Sequence, residues 1–178
     1  LPFAFDNGKA DIENTPGMSQ DGLGSDYTSA GSPKLKFDHT GDCVIIHFNG
    51  EPGKLSYDIK GNSYSGGTFT VQESEDGSAY TNIVEYTELG STGTKTHTLA
   101  ATSRYVKFIY TNKSAGNVAL GNIKIALPEE EPGEGGGETP EERLTDWVLT
   151  PLADITINDL VVITMTKGKT TWAMTNNN

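Results

Sequence analysis

Between Phe69 and Ile83 two alternating segments lie on either side of an Asp-Gly pair. Phe69 and Val71 alternate with Thr70 and Gln72, the period of two that gives a strand one dry face. Glu75-Asp76-Gly77-Ser78 then supplies a turn, because Asp-Gly readily takes the positive φ that a hairpin loop needs. Tyr80 and Ile83 begin the return strand. A chain that must accommodate this segment is committed to an antiparallel sheet, and the same period recurs elsewhere. Leu35 and Phe37 share a parity, as do Leu55, Tyr57 and Ile59, and again Val106, Phe108 and Tyr110.

Taken in order, residues 1–33 are polar and Gly-rich, with short strands expected at Pro2–Phe5 and Ala10–Glu13 and long loop elsewhere. Asp42–Phe48 is a nearly continuous apolar run, which predicts a central strand covered on both faces. Gly61–Gly67 reads as a turn; Ile83–Leu89 and Thr94–Leu99 bracket a loop at Gly90–Gly93. The segment Val118–Ile125 changes parity, with Val118 and Leu120 even but Ile123 and Ile125 odd. Both pairs can face one core only if the chain gains a residue, so a bulge is expected at Gly121-Asn122. The fold class is all-β, an antiparallel β-sandwich.

The net charge of −11 is unevenly placed. Seven glutamates and no lysine or arginine lie between Pro128 and Glu142, and this Glu/Gly/Pro stretch (128–142) reads as a flexible linker. It divides a first domain, 1–127, from residues 143–178. The latter hold three β-like segments, too few for an independent core, and read as an incomplete second β-rich domain. No basic face is evident, which disfavours nucleic acid. No apolar run reaches the roughly 18 residues of a membrane span. Leu1-Pro2-Phe3 reads as the start of a trimmed chain with no signal peptide. The single cysteine, Cys43, falls in the apolar run and is expected in the core.

Three blocks carry a family resemblance: Phe69–Ile83 as strand-Ser-x-Asp-Gly-x-x-aromatic, the arginine-led strand Arg104–Phe108, and the closing strand Leu120–Ile125. In this order and spacing they resemble the galactose-binding-like jelly rolls, a group that includes discoidin-type domains and several carbohydrate-binding modules. The chain departs from discoidin domains at Tyr80, where tryptophan is usual, and lacks their paired terminal cysteines. More closely, Leu55–Ile125 looks like an accessory sandwich of exported multidomain proteins of gut bacteria. The resemblance implies a secreted or cell-surface location, neighbouring domains in a longer polypeptide, and a glycan or polysaccharide as ligand.

No catalytic constellation is legible: His39, His47 and His97 are far apart and match no metal spacing. The chain is therefore read as a non-enzyme with no required cofactor. A structural calcium is the inorganic expectation. Asp6, Asn7, Asp11 and Asn14 offer hard oxygen ligands, and folds of this kind often hold calcium near the first loop and last strand. Solvated Asx turns are the competing reading of the same residues. For a sugar, Tyr27 and Tyr64 are the loop aromatics, and Asp26, Asn62, Asn112 and Lys113 could supply hydrogen bonds. Tyr57, Tyr105 and Tyr110 are assigned to the core. The alternative is a structural or adhesive spacer that binds nothing small.

Overall fold

A computed structural model describes residues 1–129 together with strand residues 148–149, 162–167 and 170–175. The chain divides into two compact units, Leu1–Glu129 and Glu130–Asn178. Most of the expected linker lies outside the described residues.

The first unit is a sandwich of two five-stranded antiparallel sheets. Its strands are β1 (Phe3–Phe5), β2 (Met18–Asp21), β3 (Leu35–Phe37), β4 (Cys43–His47) and β5 (Lys54–Ser65). They continue with β6 (Thr68–Ser74), β7 (Thr81–Tyr86), β8 (Gly93–Thr98), β9 (Tyr105–Asn112) and β10 (Ala115–Ile125). One sheet runs β1-β10-β5-β8, with β3 also paired to β10; the other runs β2-β4-β9-β6-β7. In the second unit, β11 (Val148–Leu149), β12 (Val162–Lys167) and β13 (Thr170–Thr175) form an antiparallel three-stranded sheet. No helix among the described residues is long and apolar enough to cross a membrane.

The alternating residues close the core as the periodicity requires. Leu35, Phe37, Leu55, Tyr57, Ile59, Val106, Phe108 and Tyr110 are all essentially inaccessible to solvent. Rings interlock across the interior: Phe37 meets Phe69 edge-on at 5.0 Å, and Tyr57 meets Phe108 the same way at 5.0 Å. The expected bulge is present. The β10–β5 register slips by one residue between Gly121 and Lys124, with Asn122 at φ 47°. Val118, Leu120, Ile123 and Ile125 are thereby all buried. The Asp6 carboxylate accepts the Asn122 N–H at 2.8 Å, and the Asn122 side chain donates to Asp58 at 3.2 Å. Side chains thus satisfy groups that the slipped ladder leaves free.

Five expectations are corrected. Ala10–Glu13 is no strand: Lys9–Asp11 forms a 3-10 turn, closed by Asp26, whose carboxylate accepts the Lys9 N–H. Gly61–Gly67 is mostly strand, because β5 runs on to Ser65 while paired with β10. A second register shift there leaves Ser63 at φ 53°. The strand β4 is central, paired with β2 and β9, yet only Val44 and Ile46 are buried. Its other face, with half-buried Cys43 and Ile45 and exposed His47, is not covered, so Cys43 is not a core residue. The return strand begins at Thr81, which leaves Tyr80 in the loop.

Candidate functional site

The outer face of the β2-β4-β9-β6-β7 sheet is dictated by the inner one. With Val106, Phe108 and Tyr110 turned inward, Tyr105, Lys107 and Ile109 must point out. Register then fixes their neighbours. Tyr105 lies opposite His47 on one side and Ser74 on the other. Lys107 lies between Ile45 and Gln72, and Ile109 between Cys43 and Thr70. Five strands at ordinary spacing make a surface roughly 19 Å across.

Three rings gather at one end of this face. His47 stacks on Tyr105 with centroids 4.6 Å apart and planes 20° from parallel. Tyr80, delivered by the β6–β7 loop, receives the Lys107 ammonium 5.2 Å from its centroid. That loop is held by its own chemistry. An Asp76 carboxylate oxygen accepts the N–H groups of Ser78 and Ala79 and the Ser74 hydroxyl, at 2.8, 3.1 and 3.1 Å. These bonds hold the Asp76 carboxyl below the usual carboxylate range. Gly77 stands at φ 77°, and a Cβ there would meet the Tyr105 ring at 2.9 Å. The turn can lie this close to the ring only because it lacks a side chain. Burial, with Tyr105, Cys43 and Asp76 nearby, pushes the Tyr80 phenol up. Beside the rings runs a polar chain: Gln72 donates to Asn82 at 2.8 Å, and Asn82 donates to Glu85 at 2.7 Å. An aromatic platform beside amide, carboxylate and ammonium groups can hold a molecule with both CH faces and hydroxyls.

The residues singled out in the sequence lie elsewhere. Tyr64 is on β5, half-buried, with its ring 5.8 Å from Tyr110 and its hydroxyl donated to the Tyr86 carbonyl at 2.6 Å. Burial, with Tyr110 nearby, pushes its phenol up to about 12. Its remaining edge lines a surface depression of about 760 Å³ with Ser65, Gly66 and Thr87–Gly90. Asn62 is also on β5, and its amide nitrogen is buried without a partner. Asn112 is exposed at the end of β9, and the Lys113 N–H donates to the Thr40 hydroxyl at 2.8 Å. Tyr27 is half-buried beside Lys36, its hydroxyl buried and unpartnered, while Asp26 is engaged with the Lys9 N–H. Among the described residues no hydrogen bond or ring contact joins Tyr27 to Tyr64.

The calcium candidates are likewise divided. Asp6 serves the bulge at Asn122. Asp11 accepts the Asn14 N–H and the Thr15 hydroxyl through its carbonyl, inside the 3-10 turn. Asn7 and Asn14 are exposed. Asp38, His39 and Asp42 do converge, but as a turn: the buried Asp42 carboxylate accepts the N–H groups of Asp38 and His39 at 2.7 and 2.8 Å. Asp38 is also paired with Lys36 at 2.9 Å.

No protein-family model matches the chain, and no curated protein matches it. Solved structures do. A cleaved adhesin domain of Lys-gingipain superposes with a TM-score of 0.56 at 16% identity, over 71% of this chain and 98% of that one. Another, from Porphyromonas gingivalis, gives 0.55 at 15%, over 70% and 97%. A variant of a family 29 carbohydrate-binding module gives 0.54 at 10%, over 74% and 99%. The first unit shares the β-sandwich fold of these domains. At this identity the likeness concerns architecture, and it agrees with the resemblance read from the three sequence blocks.

The sequence reading missed Tyr105, Tyr80 and His47 as surface groups. The signal was present, since placing Val106, Phe108 and Tyr110 inward obliges Tyr105 to face out.

Proposed function

We propose that the first unit is a non-catalytic glycan-binding module of an exported protein, and that its ligand lies on the outer face of the β2-β4-β9-β6-β7 sheet. The observation that supports this most is the Tyr80–Lys107 and Tyr105–His47 cluster, with the Gln72-Asn82-Glu85 chain beside it. Pyranose rings present CH faces that stack on aromatic rings, and hydroxyls that exchange hydrogen bonds with planar amide and carboxylate groups. The fold likeness to a carbohydrate-binding module and to adhesin domains points the same way. Partners are a glycan or polysaccharide and the adjoining domains of a longer chain, and the location is extracellular or on the cell surface. A structural calcium near Asp6 belongs to the same proposal, with the β10 bulge as its neighbour.

Affinity electrophoresis through gels containing a panel of polysaccharides tests the reading, run with calcium and with a chelator. Retardation that disappears in Tyr105→Ala, while a cooperative thermal transition is kept, supports it. Migration unaffected by every polysaccharide leaves the spacer reading in its place. Retardation lost only with chelator adds the metal.

A further inference from the structure

The Lys107 side chain is unusual for a cation at the centre of a sheet face. It is half-buried, and among the described residues its ammonium makes no ion pair and no hydrogen bond to protein. Its cross-strand neighbours are Ile45 and Gln72, neither of them anionic. Asp21 on β2, which shares the neighbour Cys43 with Lys107, and Asp76 in the β6–β7 loop beside Tyr80 make no ion pair with the ammonium, and Glu85 on β7 is engaged by Asn82. The Tyr80 ring fixes the ammonium in place through its π face without neutralising it. Beside it the Tyr105–His47 stack offers flat apolar surface. A positive charge held against an aromatic ring with no direct carboxylate partner is complementary to a ligand that carries both a flat ring and an anion.

Resting on the glycan reading above, we infer that the ligand is a carboxylate-bearing sugar: Lys107 pairs with the carboxylate while Tyr105 and Tyr80 take the ring. The carboxylate can belong to uronate units within a polysaccharide or to a terminal acidic sugar. The same chemistry serves both.

The test compares each anionic polymer with its own methyl ester, which keeps rings and hydroxyls but removes the charge. Wild-type protein is run against polygalacturonate, alginate and hyaluronan and their esters, and titrated with sialyllactose for the terminal case. The expected result is binding of at least one acid form roughly tenfold tighter than its neutral counterpart, weakening as salt rises. That preference is expected to vanish in Lys107→Gln and return in Lys107→Arg, with unchanged melting temperatures. Equal binding of acid and ester, or a preference that persists in Lys107→Gln, overturns the carboxylate assignment. If neutral polymers bind and Tyr105→Ala abolishes it, the glycan reading survives that failure. If nothing binds, both fall.

Discussion

Tyr105 and Val106 are neighbours in sequence and occupy opposite environments: one lies on the outer face against His47, the other is completely buried. Truncating them should therefore have different consequences. Tyr105→Ala gives up the His47 stack and the contact with the Gly77 turn but opens no core cavity, so it is expected to cost about 1–2 kcal/mol and to abolish ligand retardation. Tyr64→Ala is expected to do the reverse. It removes the stack on Tyr110 and the hydrogen bond to the Tyr86 carbonyl, at a cost of about 2–3 kcal/mol, and leaves binding intact. Denaturant midpoints and gel retardation measured on the same two variants check both halves. Asn122 is a third decisive residue, because its φ of 47° is tolerated by Asn and Gly but strained in β-branched residues. Asn122→Val should lose about 2 kcal/mol or more, whereas Asn122→Gly should lose less. Equal midpoints for the two would mean that the bulge is not where the register puts it.

At the level of elements, legibility followed burial. Strands with one dry face (β3, β5 and β9) were readable because Leu, Tyr, Phe and Val alternate with polar residues, and β6 was readable from the same alternation although its Thr70 and Ser74 are buried as well. The bulge in β10 was readable as a break in that alternation. The strand β2 was not, since only Met18 is buried in Met18–Asp21 and its strand state comes from pairing with β4. The end of β5 hid behind Gly61, Asn62 and Gly66, residues typical of turns, for the same reason. Function was less legible than fold, because the outer face is defined by register between strands distant in sequence.

One tertiary contact links elements in a way that pH can probe. His97 on β8 stands 3.0 Å from the Tyr57 hydroxyl and 3.4 Å from that of Tyr86 on β7, and the two hydroxyls are 2.8 Å apart. The strands β8 and β7 are edges of different sheets, so this cluster joins the two sheets at one side. Burial, reinforced by Lys95, holds the His97 imidazole below its ordinary value. The unfolded chain then takes up a proton at a pH where the native imidazole refuses it. Stability from His97 is complete above about pH 6.5 and declines as pH falls through that value toward the native one. Melting temperatures between pH 7.5 and 5 should fall more steeply for the wild type than for His97→Gln, which cannot titrate. Parallel curves would show that His97 does not set the pH dependence.

On the scale of the whole molecule, Leu1–Glu129 has its own core, with both sheets contributing to one buried cluster. It is long enough to bury roughly two-thirds of its unfolded surface. Expressed alone, it is expected to unfold in one cooperative transition; a broad or multiphasic melt would show that it depends on residues 130–178. A ligand held on the sheet face rather than on the loop ends must be felt first by the outward side chains of β4, β6 and β9 and by the β6–β7 loop. The most direct measurement is NMR shift mapping of Leu1–Glu129 during titration with a polysaccharide fragment that retards it in gels. Perturbations are expected to concentrate at His47, Tyr80, Tyr105 and Lys107 and on the adjoining side chains of Gln72 and Asn82. Perturbations confined to Tyr64, Asn112 and Lys113, or to Asp26 and Tyr27, would contradict it and return the site to the loops.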